Sequence, residues 1–182
     1  DQIISGLIIR AQSGFFTAET GSGVVVCGLR GKLKQGRREG DLVAVGDRVR
    51  LTVLPDGSGV IEEIEPRVRS IVRLDPRPQG VYQQILLANV DQAVFVFACA
   101  QPDPKLRMLD RFLVIAEKQK IPPIIVANKT DTLADPQAIF GLYESIGYRV
   151  IYSSTKTGAG VEELKAALIG KLSALAGPSG VG

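Results

Sequence analysis

The stretch IIVANKTD at residues 124–131 places four polar residues directly after four apolar ones. The apolar half shows no alternation of polar and apolar side chains, which is typical of a strand covered on both faces in a parallel sheet. Residues that directly follow such a strand lie at its carboxyl end, where open α/β sheets bind their ligands. We therefore interpret Asn128, Lys129 and Asp131 as part of a binding loop.

The carboxylate of Asp131 has the chemistry to recognise guanine. It can accept two hydrogen bonds, from the ring N–H and the exocyclic amino group on one edge of the base, and adenine offers no such pair. Lys129 can lay its methylene stem along the plane of the base. These features favour GTP over ATP as the ligand. The alternative is an ordinary polar loop in which Asp131 caps the next helix.

The chain around this loop alternates apolar strands with amphipathic helices. In the first helix, apolar residues recur at steps of three and four from Leu106 to Ala116, which gives one face to lie on a sheet. The order βαβαβαβ predicts a parallel sheet with helices packed on it. The expected strands are 92–98, 123–127, 149–152 and 172–176, and the expected helices are 104–119, 136–146 and 161–171.

Two further loops follow the last two expected strands. The first, SSTKTG at residues 153–158, can equally be an ordinary turn that caps the next helix. The second, GPSGVG at residues 177–182, matches the Gly-x4-Gly part of a phosphate-binding loop, whose glycines let backbone N–H groups converge on phosphate oxygens. Lys and then Ser or Thr should follow to complete that pattern. Alone, the segment resembles a flexible tail, but its position after an apolar strand favours the phosphate loop.

The first part of the chain has a different pattern, in which short alternating segments are separated by Gly-rich turns. Five such segments predict a small all-β barrel of the OB-fold type. The stretch DPRPQG at residues 75–80 restricts regular structure and separates the two patterns. We therefore expect an RNA-binding barrel at 1–74, a linker at 75–85 and an α/β domain at 86–182. The expected barrel strands are 7–10, 15–19, 23–29, 48–54 and 59–65.

Positive charge is concentrated in one part of the barrel. The net charge of the chain is only +3, yet residues 30–50 hold seven Lys and Arg residues. OB-folds often present such residues to nucleic acid. The alternative is a solvated charged loop, because Lys and Arg are common on surfaces. The residues expected to contact RNA are Arg30, Lys32, Lys34, Arg37, Arg38 and Arg48.

Composition excludes several classes of protein. No apolar run is long enough for a membrane-spanning helix, and the start lacks both an initiator Met and the layout of a secretory signal, so we expect the numbering to begin inside a longer chain. The use of only two cysteines indicates a reducing compartment, so we expect a cytoplasmic protein. Cys27 and Cys99 lie far apart in apolar stretches and the chain has no His. Neither a disulfide framework nor a His/Cys metal site is expected from these residues.

The order of the three loops indicates a circular permutation. In ordinary Ras-like GTPases the phosphate loop comes first, followed by the Asn-Lys-x-Asp loop and then by a Ser-Ala-Lys loop, whereas here the phosphate loop comes last. In this order the chain resembles, over nearly its whole length, the ribosome small-subunit-dependent GTPase A family. The supporting stretches are LRGK at 29–32, VGDRV at 45–49, IEEIEPR at 61–67, ANVDQ at 88–92, LDRF at 109–112 and KTG at 156–158.

This resemblance implies an OB-fold barrel followed by an incomplete, circularly permuted Ras-like P-loop GTPase domain, cut within its phosphate loop. A Ras-like sheet would have the strand order 172–176, 93–98, 123–127, 149–152. A backbone N–H of the loop at 153–158 would meet the guanine carbonyl oxygen, with Thr155 in the place of the usual Ala. The nucleotide contacts would come from Asn128, Lys129, Asp131, Ser154, Thr155, Lys156, Gly177, Pro178, Ser179, Gly180, Val181 and Gly182.

The resemblance also implies a function, namely GTP hydrolysis stimulated by the small ribosomal subunit during late maturation of its decoding region. The expected partners are that subunit with its rRNA, and GTP or GDP, with no membrane and with a monomeric protein. Mg²⁺ would accompany GTP in the full-length protein, and Zn²⁺ would belong to a carboxyl-terminal domain beyond Gly182. No catalytic residue can be named within 1–182, and this stretch alone is expected to be inactive and to be less stable or less soluble than the whole protein.

Two other functions fit parts of the pattern. The first is a ribosomal RNA-binding module in which the basic barrel makes the contacts and the α/β part is a non-catalytic scaffold. The second is an ATP-using P-loop enzyme, which fits residues 177–182 but leaves the loop at 128–131 unexplained.

Overall fold

The computed structural model of the protein describes residues 3–34, 42–74 and 83–182. The chain divides into two compact units, Asp1–Asn89 and Val90–Gly182. None of the helices in the described ranges combines the length and the apolar character that crossing a bilayer requires.

The first unit contains the expected five-stranded barrel, so the prediction of an OB-fold is confirmed. The strands follow one another around the barrel in the order β1-β2-β3-β5-β4. Strands β3 and β5 pair in parallel, and the other neighbours are antiparallel. The strands are β1 Ile3–Gln12, β2 Phe15–Thr20, β3 Gly23–Leu29, β4 Arg48–Val53 and β5 Gly59–Ile64.

The barrel closes around an apolar core because its strands alternate. In β4, Val49 and Leu51 are fully buried whereas Arg48 and Arg50 are exposed, as the two-residue period of a strand requires. Further core side chains come from the other strands and from the segment that precedes β4. They include Ile8, Phe16, Ala18, Cys27, Leu42, Val43 and Ile61.

Three elements of the first unit were not expected from the sequence. A short helix, α1, covers Gly31–Lys34 in the basic stretch, and strands β6 (Ser70–Leu74) and β7 (Gln83–Ala88) pair as an antiparallel hairpin. Residues 83–85 of the expected linker therefore belong to β7, and residues 75–82 lie outside the described residues.

The second unit is a parallel four-stranded sheet in the order β10-β9-β8-β11. This strand order is the one expected for a Ras-like sheet, and it confirms that prediction. The strands are β8 Gln92–Ala98, β9 Pro123–Asn128, β10 Arg149–Tyr152 and β11 Ser173–Ala176. The helices are α2 Leu106–Lys118, α3 Gln137–Ser145 and α4 Val161–Leu168, and a 3₁₀ turn covers Thr130–Thr132.

Helices cover both faces of this sheet. On one face, the ring of Phe112 in α2 lies 5.3 Å from that of Phe95 and 6.3 Å from that of Phe97, measured between centroids. On the other, Ala167 of α4 packs in one cluster with Val94. Alternate residues of β8 thus contact opposite layers, which explains why the strand carries no polar alternation.

Candidate guanine nucleotide site

The carboxyl ends of β9, β10 and β11 bring the three expected loops together, and Asn128 connects them. Its side chain is buried at the end of β9. Its amide Nδ2 donates a hydrogen bond to the carbonyl oxygen of Val181 at 2.8 Å, and its Oδ1 accepts one from Ser153 Oγ at 3.2 Å. One buried side chain therefore fixes the glycine-rich loop and the loop after β10 to the end of the central strand.

Lys129 makes a second link between the loops. Its backbone is left-handed, with φ of 61°. Its ammonium group donates a hydrogen bond to the carbonyl oxygen of Gly180 at 2.7 Å and another to the carbonyl oxygen of Gln101. The charged end of the side chain is thus held at the glycine-rich loop, and the methylene stem extends from the end of β9 toward that loop.

Asp131 lies in the 3₁₀ turn beside the loop after β10. Its side chain is 16% exposed, and its Oδ1 accepts a hydrogen bond from Ser154 Oγ at 2.6 Å. Lys156 Nζ lies 3.9 Å from Oδ2, but the Lys156 side chain is 84% exposed, so it is a loose partner. The hydrogen bond from Ser154 lowers the pKa of Asp131, and a backbone hydrogen bond and then the positive charges of Lys156 and Lys129 lower it further. At neutral pH the group is a carboxylate that can only accept hydrogen bonds.

The loop after β10 is organised around Ser154. The Ser154 side chain is buried, and its Oγ also accepts a hydrogen bond from the backbone N–H of Thr157 at 3.2 Å. The next residues, Thr155 and Lys156, are exposed. The buried hydroxyl therefore orients the carboxylate of Asp131, while Thr155 stays exposed to solvent.

Two glycines allow the segment at 177–182 to pass close to the sheet. A β-carbon on Gly177 would come within 2.2 Å of the carbonyl oxygen of Val96, and one on Gly182 within 2.1 Å of Asn128 Nδ2. Gly182 also has a φ of 130°, a backbone conformation that is strongly disfavoured for every residue except glycine. Val181 is buried, Pro178 is half-buried, and Ser179 and Gly180 are exposed. Larger residues at Gly177 or Gly182 would push this loop away from Asn128.

Replacing Ser154 with Ala is expected to raise the pKa of Asp131, because the substitution removes the largest cause of its lowering. A carboxyl group whose pKa is lowered by folding contributes its full stabilisation at pH values above the ordinary pKa of Asp. This contribution is lost as the pH falls through the pKa of the folded state. The variant should therefore lose the contribution at a higher pH. Carboxyl-carbon NMR titration measures the pKa directly. Asp56, whose pKa is lowered by Ser58, serves as an internal control that should not move.

The structure adds residues that the sequence analysis missed, at the carboxyl end of β8. Gln101 supplies a carbonyl oxygen to Lys129, and Pro102 lies beside Gly180. Cys99 is buried there, and burial followed by the charge of Asp131 raises the pKa of its thiol. The strand order could have indicated these residues. Because β8 lies between β9 and β11 in a parallel sheet, its carboxyl end lies at the same edge as the three loops.

The basic residues expected to contact RNA are only partly described. Arg30 forms an ion pair with Glu62, with 2.6 Å between Arg30 Nη2 and Glu62 Oε1, and Arg48 is exposed on β4. The side chains of the remaining four lie outside the described residues: Lys32, Lys34, Arg37 and Arg38. Within the ranges that are described, no group of three or more His, Cys, Asp or Glu side chains is placed to hold a metal ion.

Comparison with known proteins places the chain among relatives. The family model described as RsgA GTPase matches residues 64–182, and the model described as RsgA N-terminal domain matches residues 5–61. The small ribosomal subunit biogenesis GTPase RsgA of Moorella thermoacetica is 39% identical over 180 residues, and its counterpart in Caldanaerobacter subterraneus is 37% identical over 181. Each alignment covers 98% of this chain and 57% of the relative, so the chain spans little more than half the length of these proteins.

Two solved structures share the fold. YjeQ from Thermotoga maritima superposes with a TM-score of 0.78 at 35% identity, and YloQ, a circularly permuted GTPase, with 0.79 at 33%. Both superpositions cover 100% of this chain and 62% of the other. The sheet with a terminal glycine-rich loop is therefore part of a permuted GTPase domain. Since the RsgA GTPase model matches well over half of the sequence, the chain belongs to the RsgA GTPase family.

Proposed function

We propose that the full-length protein binds and hydrolyses GTP and acts in the late maturation of the small ribosomal subunit. The observation that carries this proposal is the hydrogen-bonded junction of the loops, in which Asn128 and Lys129 hold the glycine-rich loop beside Asp131. This junction allows one nucleotide to bind both elements, with its base at Asp131 and its phosphates at residues 177–182.

The described residues fit GTP in three respects. Asp131 is ionised and oriented by Ser154, so it can accept hydrogen bonds from the guanine edge. The stem of Lys129 crosses from the base-recognising loop toward the phosphate loop, in the place where a base plane can rest on it. The close-passing glycines leave backbone N–H groups free of covering side chains. GTP, bound with Mg²⁺, supplies the phosphoryl group that is transferred to water.

The ribosomal part of the proposal rests on the relatives and on the barrel. The relatives are described as small ribosomal subunit biogenesis GTPases. By this likeness we assign to the protein the small subunit and its rRNA as partners, a cytoplasmic location, a monomeric state and a zinc-binding domain outside residues 1–182. The basic stretch between residues 30 and 50 suits contact with rRNA phosphates.

The test is GTP hydrolysis by the purified full-length protein with and without small ribosomal subunits. Addition of small subunits is expected to raise the rate by about tenfold or more, a range typical of positioned electrostatic catalysis. Large subunits serve as the control and should leave the rate unchanged. Residues 1–182 tested alone should hydrolyse little GTP, because a fragment that ends at Gly182 omits the position at which a phosphate loop carries its Lys.

The alternative function, an rRNA-binding module with a non-catalytic scaffold, makes the opposite prediction. It requires that the full-length protein binds small subunits but neither GTP nor GDP. Equilibrium binding of a fluorescent guanine nucleotide distinguishes the two functions, and absence of binding would overturn the GTPase proposal.

A further inference from the structure

Helix α2 presents a row of basic side chains directly opposite its buried face. Leu109, Leu113 and Ala116 pack toward the sheet. An α-helix turns by about 100° per residue. The side opposite the buried residues therefore carries three basic residues within about 40° of one another, namely Arg107, Arg111 and Lys118. All three are exposed. We call these three residues the basic face of α2.

The acidic residues of α2 do not neutralise this face. Asp110 and Glu117 lie seven residues apart on one flank of the helix. Asp110 Oδ1 accepts a hydrogen bond from Tyr143 of α3 at 2.7 Å. Glu117 lies close to Tyr148, which follows α3, and its charge adds to the effect of burial in raising the pKa of the Tyr148 phenol. Both acids are therefore directed toward the α3 side.

In the described part of the chain, the basic face has no ionic partner. Within 3–34, 42–74 and 83–182, no ion pair involves Arg107, Arg111 or Lys118, whereas Arg149 and Lys165 of the same unit are paired with Glu163 and Glu162. Residues 105–120 hold five Lys and Arg against two acids. The charge is thus as concentrated here as in the barrel, although the sequence analysis attached no function to it.

We propose that the basic face of α2 binds the phosphate backbone of rRNA in the small ribosomal subunit, as a second contact separate from the basic stretch of the barrel. This inference rests on the proposed function. The rise of a helix places Arg107 and Arg111 about 6 Å apart, and Lys118 about 10 Å further along, so one backbone can meet all three. Guanidinium groups bind phosphate oxygens in bidentate fashion.

The remaining residues of this surface favour backbone contact over base recognition. Val114 and Ile115 are exposed between the cations, and they provide neither an amide for a base edge nor an aromatic ring for stacking. Contacts made only by cations fix the position of a protein on RNA without selecting a sequence. The face therefore orients the GTPase domain on the subunit, and rRNA is favoured over an acidic protein because the cations repeat along one line.

The experiment compares two double variants of the full-length protein. Arg107→Gln with Arg111→Gln removes two charges from the basic face, and Arg149→Gln with Lys165→Gln removes two paired charges elsewhere in the same unit. The dissociation constant for purified small subunits is measured over a range of salt concentrations, with a non-hydrolysable GTP analogue present. The first variant is expected to bind about tenfold more weakly near 0.1 M salt, with the slope of log K against log salt reduced by about 1.5 to 2. The second should match the wild type.

Each other outcome has a definite meaning. Unchanged subunit binding by the first variant overturns the inference, and equal weakening in both variants assigns the effect to overall charge and overturns it too. A loss on intact subunits without a loss on deproteinised rRNA overturns the choice of RNA and assigns the face to a ribosomal protein. Failure of the wild type to bind subunits contradicts the proposed function itself. An unchanged circular dichroism spectrum and an unchanged thermal midpoint of the first variant, relative to the wild type, exclude a folding defect as the cause of weaker binding.

Discussion

Replacing Asp131 with Asn in the full-length protein is expected to weaken GTP binding by about a hundredfold or more and to create a preference for xanthosine triphosphate. The carboxylate accepts from both the ring N–H and the amino group of guanine, whereas an amide presents an N–H donor to one of them. Xanthine carries an oxygen in place of the amino group, so it can accept from that donor. The hydroxyl of Ser154, which orients the carboxylate at 2.6 Å, remains available to orient the amide oxygen.

The measurement is a titration of the wild type and the variant with fluorescent guanine and xanthine nucleotides. Asp135→Asn is the matched control, because Asp135 is an exposed carboxylate close in sequence that accepts a hydrogen bond from the backbone N–H of Ala138 at 3.2 Å. The control should retain the affinity for GTP. An unchanged GTP dissociation constant in the Asp131 variant would show that this loop does not recognise the base, and the proposed site would have to be abandoned.

The α/β unit could be predicted from the sequence because its local and long-range requirements agree. Uninterrupted apolar runs such as the one that ends at Ala127 have to be covered on both faces, and the amphipathic helices between them supply the cover. The parallel order follows from the connections, since each helix carries the chain back to the start of the next strand. The strand positions and their parallel orientation were therefore predictable from the pattern alone, whereas the strand order came from the resemblance to Ras-like GTPases.

The hairpin of β6 and β7 could not be predicted in the same way. Its strands pair Ser70 with Ala88, across an intervening stretch rich in Pro and Gly. Such a stretch separates elements whether they belong to two domains or to one hairpin, and the local composition does not distinguish these cases. The parallel pairing of β3 with β5 in the barrel is equally non-local, because it joins Cys27 to Gly59.

The candidate site was predictable where side-chain identity carries the chemistry, and unpredictable where the backbone does. Asp131 and the glycines of 177–182 have distinctive residue types in a distinctive order. Gln101 contributes its backbone carbonyl oxygen to Lys129, and every residue type has this same group, whatever its side chain. The bond from Asn128 to Val181 spans 53 residues of sequence, so it could be expected only after the strand order was known.

A buried ion pair joins segments of the first unit that are far apart in sequence. The side chain of Asp47, just before β4, is fully buried, and that of Arg67, after β5, is 22% exposed. Arg67 Nε and Nη2 each donate to a different oxygen of Asp47 at 2.7 Å, and Asp47 Oδ2 also accepts from the backbone N–H of Ala44 at 2.8 Å. Since Arg67 Nη2 also donates to the carbonyl oxygen of Leu42, the pair holds the segment that leads into β4.

Replacing Asp47 with Ala is expected to lower the free energy of unfolding of the barrel by about 3 kcal/mol, because it removes the buried carboxylate to which the Arg67 guanidinium and the backbone N–H of Ala44 both donate. Urea unfolding measures the change, and hydrogen exchange of the β4 amides assigns it to the barrel. The matched control is Glu63→Gln, which breaks the Arg50–Glu63 pair, where the charged atoms are 3.5 Å apart and both side chains are more than half exposed. That change should cost less than about 0.5 kcal/mol. If the two variants were equally stable, burial would not be what makes the Asp47 pair strong, and the barrel would owe its closure to the apolar core alone.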